Sequence, residues 1–166
     1  MRAVIDMDTA IADAALAAAV AHAHAIGVPV NVALVDASAS LKAFLRMDGA
    51  LLGSIDIALR KARTAALFGM NTETLGEYAA PGGGSPGLEQ SNGGLVIFAG
   101  GIPLRGRDGR LLGAVGVSGG SVAQDFEIAS AAAKAADSLQ EEPQTWSIDM
   151  PAPAASGPSS PRPLSP

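Results

Sequence analysis

Two apolar, β-branched runs, Val30–Val35 and Leu41–Arg46, are separated only by the turn Asp36-Ala37-Ser38-Ala39-Ser40. That spacing constrains the fold more than any other feature of the chain. A parallel pair needs a crossover of about a dozen residues or more, so these two strands are expected to be antiparallel neighbours. The signal recurs downstream, where Asp108-Gly109 separates Ile102–Arg105 from Leu111–Val117. A type I′ turn there places positive φ at both central positions. A further apolar segment, Leu95–Phe98, reads as a strand joined to Ile102–Arg105 by the Gly100-Gly101 break. The expectation is an antiparallel sheet of about five strands.

Helical patterns surround these strands. From Asp8 to Ile26 the chain reads as a helix, capped by Asp8 or Thr9 and ended by Gly27 and Pro29, with Leu16, Val20 and His24 in an i, i+4 row. A second helix is expected over Ser54–Phe68, with Ser54 as N-cap and Gly69 as the stop, and a short third over Thr72–Tyr78. Pro81 to Gly87 suits no regular element. An alanine-rich helix over Ser121–Leu139 completes the order α-β-β-α-α-β-β-β-α, an α+β arrangement with helices on the faces of the sheet. Residues 1–140 are read as one domain. Residues 141–166 form a Pro/Ser/Ala-rich tail, too poor in apolar area to offset chain entropy and expected to be disordered.

Composition narrows the function classes. Hydrophobic residues make up 48% of the chain, most of that share being alanine, and aromatics only 4%. A core of small side chains favours close helix packing, and further apolar burial between subunits is expected, making the chain a homo-oligomer. The net charge is −5 with no basic stripe, which argues against nucleic acid as a partner. The chain has no cysteine, so disulfides, thiolate catalysis and thiolate-bound metals are excluded. Met1-Arg2-Ala3-Val4-Ile5-Asp6 reads as neither a signal peptide nor a membrane span; the expected address is the cytoplasm, with no membrane association.

His22 and His24 are the two histidines. Residues two apart on a helix point about 200° apart, so the pair cannot hold one metal from one face, and no metal site is assigned. His24 continues the Leu16/Val20 row, as either a packed, hydrogen-bonded histidine or a single axial haem ligand. On the second helix Arg60, Arg63 and Thr64 share a face, and Lys61 lies about 100° from Arg60. This cluster is either a solvated cationic edge or a site for carboxylates, such as haem propionates or an organic acid. The surrounding alanines and leucines imply that one of its cations is half-buried and needs an anion. Ser118, Gly119 and Gly120 run into a helix N-terminus, where free backbone amides favour an anion, although such turns also use Gly and Ser for geometry alone. Gln124 and Asp125 in the first helical turn serve either a substrate or the helix dipole. The segment Gly82 to Gly94 is a flap or a plain loop. Phosphate-loop, dinucleotide and zinc-hydrolase spacings are absent, and no Ser-His-Asp arrangement is specified.

Two stretches carry a resemblance. The first holds Val32-Ala33-Leu34-Val35-Asp36, Phe44-Leu45-Arg46-Met47-Asp48-Gly49-Ala50, Ser54-Ile55-Asp56-Ile57-Ala58 and Lys61-Ala62-Arg63-Thr64-Ala65. The second holds Gly101-Ile102-Pro103-Leu104, Gly113-Ala114-Val115-Gly116-Val117-Ser118-Gly119-Gly120 and Gln124-Asp125. In order and spacing these resemble the GlcG/HbpS-like, or haem-degrading domain, family from about Asp8 to Ala136. The resemblance implies a profilin-like antiparallel sheet flanked by helices, assembly as a dimer or a larger ring such as an octamer, and haem as the cofactor. Some relatives degrade haem or bind cobalamin-pathway or redox partners. This chain departs from the pattern at its first hairpin, where Ala37-Ser38-Ala39-Ser40 stands in place of a frequent Gly-Gly, and it lacks the export signal of secreted haem sensors.

Two functions follow as expectations. In the first the chain binds haem, with propionates on Arg60, Lys61 or Arg63, an axial ligand from His24 or a hydroxyl such as Thr64, and a haem-degrading or redox-sensing role. In the second it is a cofactor-free enzyme acting on a small carboxylate or natural-product intermediate. There the Ser118-Gly119-Gly120-Ser121 turn stabilises an oxyanion, and Lys61 or Asp125 is the catalytic proton carrier. A non-catalytic oligomeric accessory protein is the plainer alternative. Met47 and Met70 are read as core fillers rather than iron ligands.

Overall fold

Asp8 begins the first helix as expected: its carboxylate accepts the Ile11 amide at 2.8 Å, closing one of the donors left free at a helix start. The computed structural model describes residues 7–139, and the tail expected over 141–166 lies outside them. The elements run α1 (Thr9–Ala25), β1 (Asn31–Asp36), β2 (Leu41–Arg46), α2 (Ser54–Phe68), α3 (Thr72–Ala79), β3 (Gly101–Arg105), β4 (Leu111–Ser118) and α4 (Val122–Leu139), with a short 3₁₀ turn at Leu88–Gln90. The sheet order is β2-β1-β4-β3, and every neighbouring pair is antiparallel. The fold is α+β.

Alternation along the central strands sorts the helices into two layers. Val32, Leu34, Val115 and Val117 join the buried alanines of α1 and α4 in one core. Ala33, Val35 and Ala114 face Ala58, Ala62 and Ala65 of α2 in another. Small residues let backbone approach backbone. A Cβ at Gly116 of β4 would fall 2.1 Å from the Ala58 carbonyl oxygen and 2.5 Å from the Ala62 nitrogen, so α2 lies directly on the strand at this glycine. Met47 is buried among the α1/α4 core, a core filler as its flexible side chain suggests.

The structure corrects four local expectations. The described sheet has four strands, because Leu95–Phe98 is not one of them. The Leu95 amide bonds to the Glu89 carbonyl and the Val96 amide to Thr64 Oγ1, so this segment is tied to a loop and to α2 rather than to a strand edge. Ser54 is the first residue of α2 rather than its cap; Gly53 holds the cap position, with no side-chain bond. At the second hairpin Gly109 has positive φ, 76°, whereas Asp108 does not and instead accepts the Arg110 amide. The connection is therefore a turn with a bulge rather than type I′. Ser121 precedes α4 as its cap: Ser121 Oγ accepts the Gln124 amide at 3.3 Å and Gln124 Oε1 accepts the Ser121 amide at 2.9 Å, a reciprocal capping box. No described helix is long and apolar enough to cross a membrane.

Candidate functional site

Lys61 points from α2 through the end of the sheet toward α4, and its side chain is fully buried. Its ammonium donates to the Val117 carbonyl and to Asp125 Oδ2, both at 2.8 Å, and lies 4.7 Å from the centre of the Phe98 ring, a cation–π distance. The passage exists because Gly100 carries no side chain: a Cβ there would meet the Lys61 nitrogen at 2.7 Å. The other Asp125 oxygen accepts the Gly120 amide at 2.9 Å. Burial pushes the Lys61 amine below its ordinary 10.5, while the hydrogen bond and charge of Asp125, then the charge of Glu73, act to raise it. The expected cation in need of an anion is thus Lys61. It is wholly rather than half buried, and its anion comes from the same chain.

The turn at Ser118, Gly119 and Gly120 is occupied by its own neighbours. The Gly120 amide is held by Asp125 and the Ser121 amide by Gln124, so these two donors face protein acceptors. On the rest of α2, Arg60 donates to Asp56 at 2.7 Å and to the Gly93 and Gly94 carbonyls at 2.7 and 3.2 Å, clamping the far end of the Gly82–Gly94 segment. Thr64 is buried and holds the Val96 amide through its hydroxyl. Arg63 is exposed.

His24 is on the other side of the sheet. It stands at the end of an open apolar groove on α1, formed with Leu16, Ala17, Val20, Ala21 and Leu45, with a volume of about 500 Å³. The imidazole is exposed and makes no hydrogen bond among the described residues. His22 differs: its Nε2 is 2.7 Å from Glu127 Oε1 of α4. The groove belongs to the α1/α4 layer and the cations Arg60 and Arg63 to the α2 layer, so one chain does not bring His24 and these cations to one ligand. Only Lys61 reaches across.

Sequence reasoning missed two residues. Leu45, on β2, completes the α1 groove; its outward alternation was legible, but not which helix it meets. Glu73, in the first turn of α3, reads as a partner of the helix dipole. In the structure its Oε2 is buried without a hydrogen-bond partner, beside the N-terminus of α4.

Comparison with known proteins agrees with this architecture. The family described as "Haem degrading protein HbpS-like" matches residues 7–134. The corrinoid adenosyltransferase PduO of Salmonella typhimurium is 44% identical over 63% of the chain. The match spans only 31% of that protein, so the resemblance is to one part of it. Among solved structures, the Klebsiella pneumoniae protein ORFY superposes with a TM-score of 0.77 at 34% identity, over 82% of this chain and 94% of that one. A PduOC complex with haem superposes with a TM-score of 0.75 at 39% identity, over 79% and 95%. With its sheet order, its helical layers and its sequence all in agreement, the chain belongs to the HbpS-like family.

Proposed function

We propose that the chain is a haem-binding protein whose haem lies on the α1–β2 groove with His24 as its protein ligand. One observation carries this reading: an unpartnered, exposed imidazole ends an apolar groove of about 500 Å³, a size within the range of small-molecule sites. A neutral imidazole is a suitable iron ligand, and one is enough. The apolar stripes Leu16/Val20 and Ala17/Ala21 suit a porphyrin face, while Asp13 at the groove disfavours propionates there, so these would point to water. The PduOC structure, at 39% identity, was solved with haem. The groove is open on one side, and a second copy of the chain covering it would bury the haem further, so the homo-oligomer is part of the proposal.

Iron held by a single protein ligand at an open site leaves a position for a small oxidant, which is the chemistry that haem degradation or redox sensing uses. The rival reading, a cofactor-free enzyme using Lys61 and Asp125, has no comparable support: both side chains are sealed from solvent and bonded to each other. Their role here is to join the two helical layers. The test is titration of the protein with haemin, followed by visible absorption. Saturation near one haemin per chain with a shifted Soret band is expected. Non-saturating association without a shift would contradict the proposal.

A further inference from the structure

A second concave surface lies at the opposite end of α4 from its C-terminus. Glu73 of α3, Ala99, and Val122, Ala123 and Phe126 of α4 form an open cleft of about 490 Å³. Its surroundings are unusually apolar for a surface: Val122 is 49% exposed, Phe126 38% and the adjacent Phe98 42%. Three large exposed hydrophobic side chains at one place mark a contact surface rather than plain solvent-facing protein.

The polar group in this cleft is a carboxylate with one unsatisfied oxygen. Glu73 Oε1 accepts from Asn71 Nδ2 at 3.0 Å, whereas Oε2 is buried with no partner. A buried carboxylate oxygen left unpaired costs free energy until a donor reaches it. Lys61 does not supply that donor. Its ammonium is committed to Asp125, Val117 and the Phe98 ring, and Glu73 reaches it only through its charge. At this end of the molecule Asp125 and Glu73 set two carboxylates against one ammonium, so one negative charge is left without a partner.

We infer that this cleft, with the Glu73 carboxylate beside exposed Phe126 and Val122, is a binding site for an organic cation: a primary ammonium or guanidinium on an apolar or aromatic body. The cation would pair with Glu73, after a small turn about the broad terminal torsion of the carboxylate brings Oε2 to the cleft. The body would lie on Phe126 and Val122. The same chemistry rejects carboxylate ligands, haem propionates included, so this site is separate from the α1 groove and independent of the haem reading.

The test uses 2-phenylethylamine as the probe, with 2-phenylethanol and 3-phenylpropionate as neutral and anionic controls, titrated into the full chain and followed by amide NMR. Saturable shifts confined to Ala99, Val122, Ala123 and Phe126 are expected for the amine, with the alcohol weaker and the acid silent. Glu73→Gln retains an oxygen to accept from Asn71 and removes the charge; it is expected to weaken amine binding by about tenfold or more, the worth of a charge-assisted hydrogen bond. Phe126→Ala, at an exposed position, should weaken all apolar probes together. Equal affinity for amine and alcohol, unchanged binding by Glu73→Gln, or shifts centred on the α1 groove would each overturn the proposal. So would a change in assembly mass on Glu73→Gln, which would make the cleft a subunit contact.

Discussion

The Lys61 ammonium and the Asp125 carboxylate stand 2.8 Å apart with side chains 0% and 4% exposed, joining a helix on one side of the sheet to a helix on the other. Breaking a buried pair by removing one partner leaves the other charge without water or counter-ion, which costs about 3–5 kcal/mol. Lys61→Met and Asp125→Leu should each lower stability by that order in urea unfolding. The double substitution should recover most of the loss, because no charge is then stranded. Equal, additive losses would mean that the two side chains act independently.

A second cost sits at the β4–α2 contact. With Gly116 under the backbone of Ala58 and Ala62, Gly116→Ala must push the helix off the sheet. A loss of about 3 kcal/mol or more is expected, at the upper end of overpacking effects, and a thermal melt would show it. An unchanged melting temperature would contradict the direct packing of α2 on the strand.

The sheet topology was legible in the sequence because turn length alone decides strand direction, and helix limits were legible from Asp8, Gly27 and Gly69. Leu95–Phe98 was misread because a short apolar run looks the same whether its amides meet a strand or, as here, Glu89 and Thr64. The candidate site was legible only in its parts. Spacing picked out His24 and the Arg60–Thr64 cluster, yet it carried no sign that the sheet stands between them. Lys61 could be named as a cation in need of an anion, but its pairing with Asp125 spans a sequence separation that no local pattern reports.

The first hairpin gives a pH prediction. Asp36 Oδ1 accepts from Ser38 N, Ser38 Oγ and Ser40 N at 2.9, 2.6 and 2.9 Å. The Ser38 hydroxyl first, with the Ser40 and Ser38 amides adding to it, holds this carboxyl below its ordinary 3.8. The unfolded chain therefore takes up the proton first as pH falls. The stabilisation is present above about pH 3.8 and is lost as pH drops through the folded-state value. Asp36→Ala should cost about 1–2 kcal/mol at neutral pH and flatten the acid limb of the stability profile. An acid limb as steep as that of the wild type would show that other carboxyls govern it.

The same turn carries strain. Ala39 sits at φ 62°, a conformation that costs a residue with a Cβ about 1–2 kcal/mol and glycine almost nothing. Glycine restores flexibility to the unfolded chain, which offsets part of the gain, so Ala39→Gly should stabilise the protein by about 0.5–1 kcal/mol. Denaturant midpoints of the two proteins measure it, and a lower midpoint for the glycine variant would contradict the account.

The most direct test of the account is haemin binding by His24→Ala beside the wild type and His22→Ala, each read by its Soret band with and without added imidazole. If His24 is the ligand, His24→Ala weakens binding by about tenfold or more and alters the band, free imidazole restores the wild-type spectrum, and His22→Ala binds as the wild type does. Wild-type affinity and an identical Soret band in His24→Ala would contradict it, removing both the ligand and the α1 groove from the haem site.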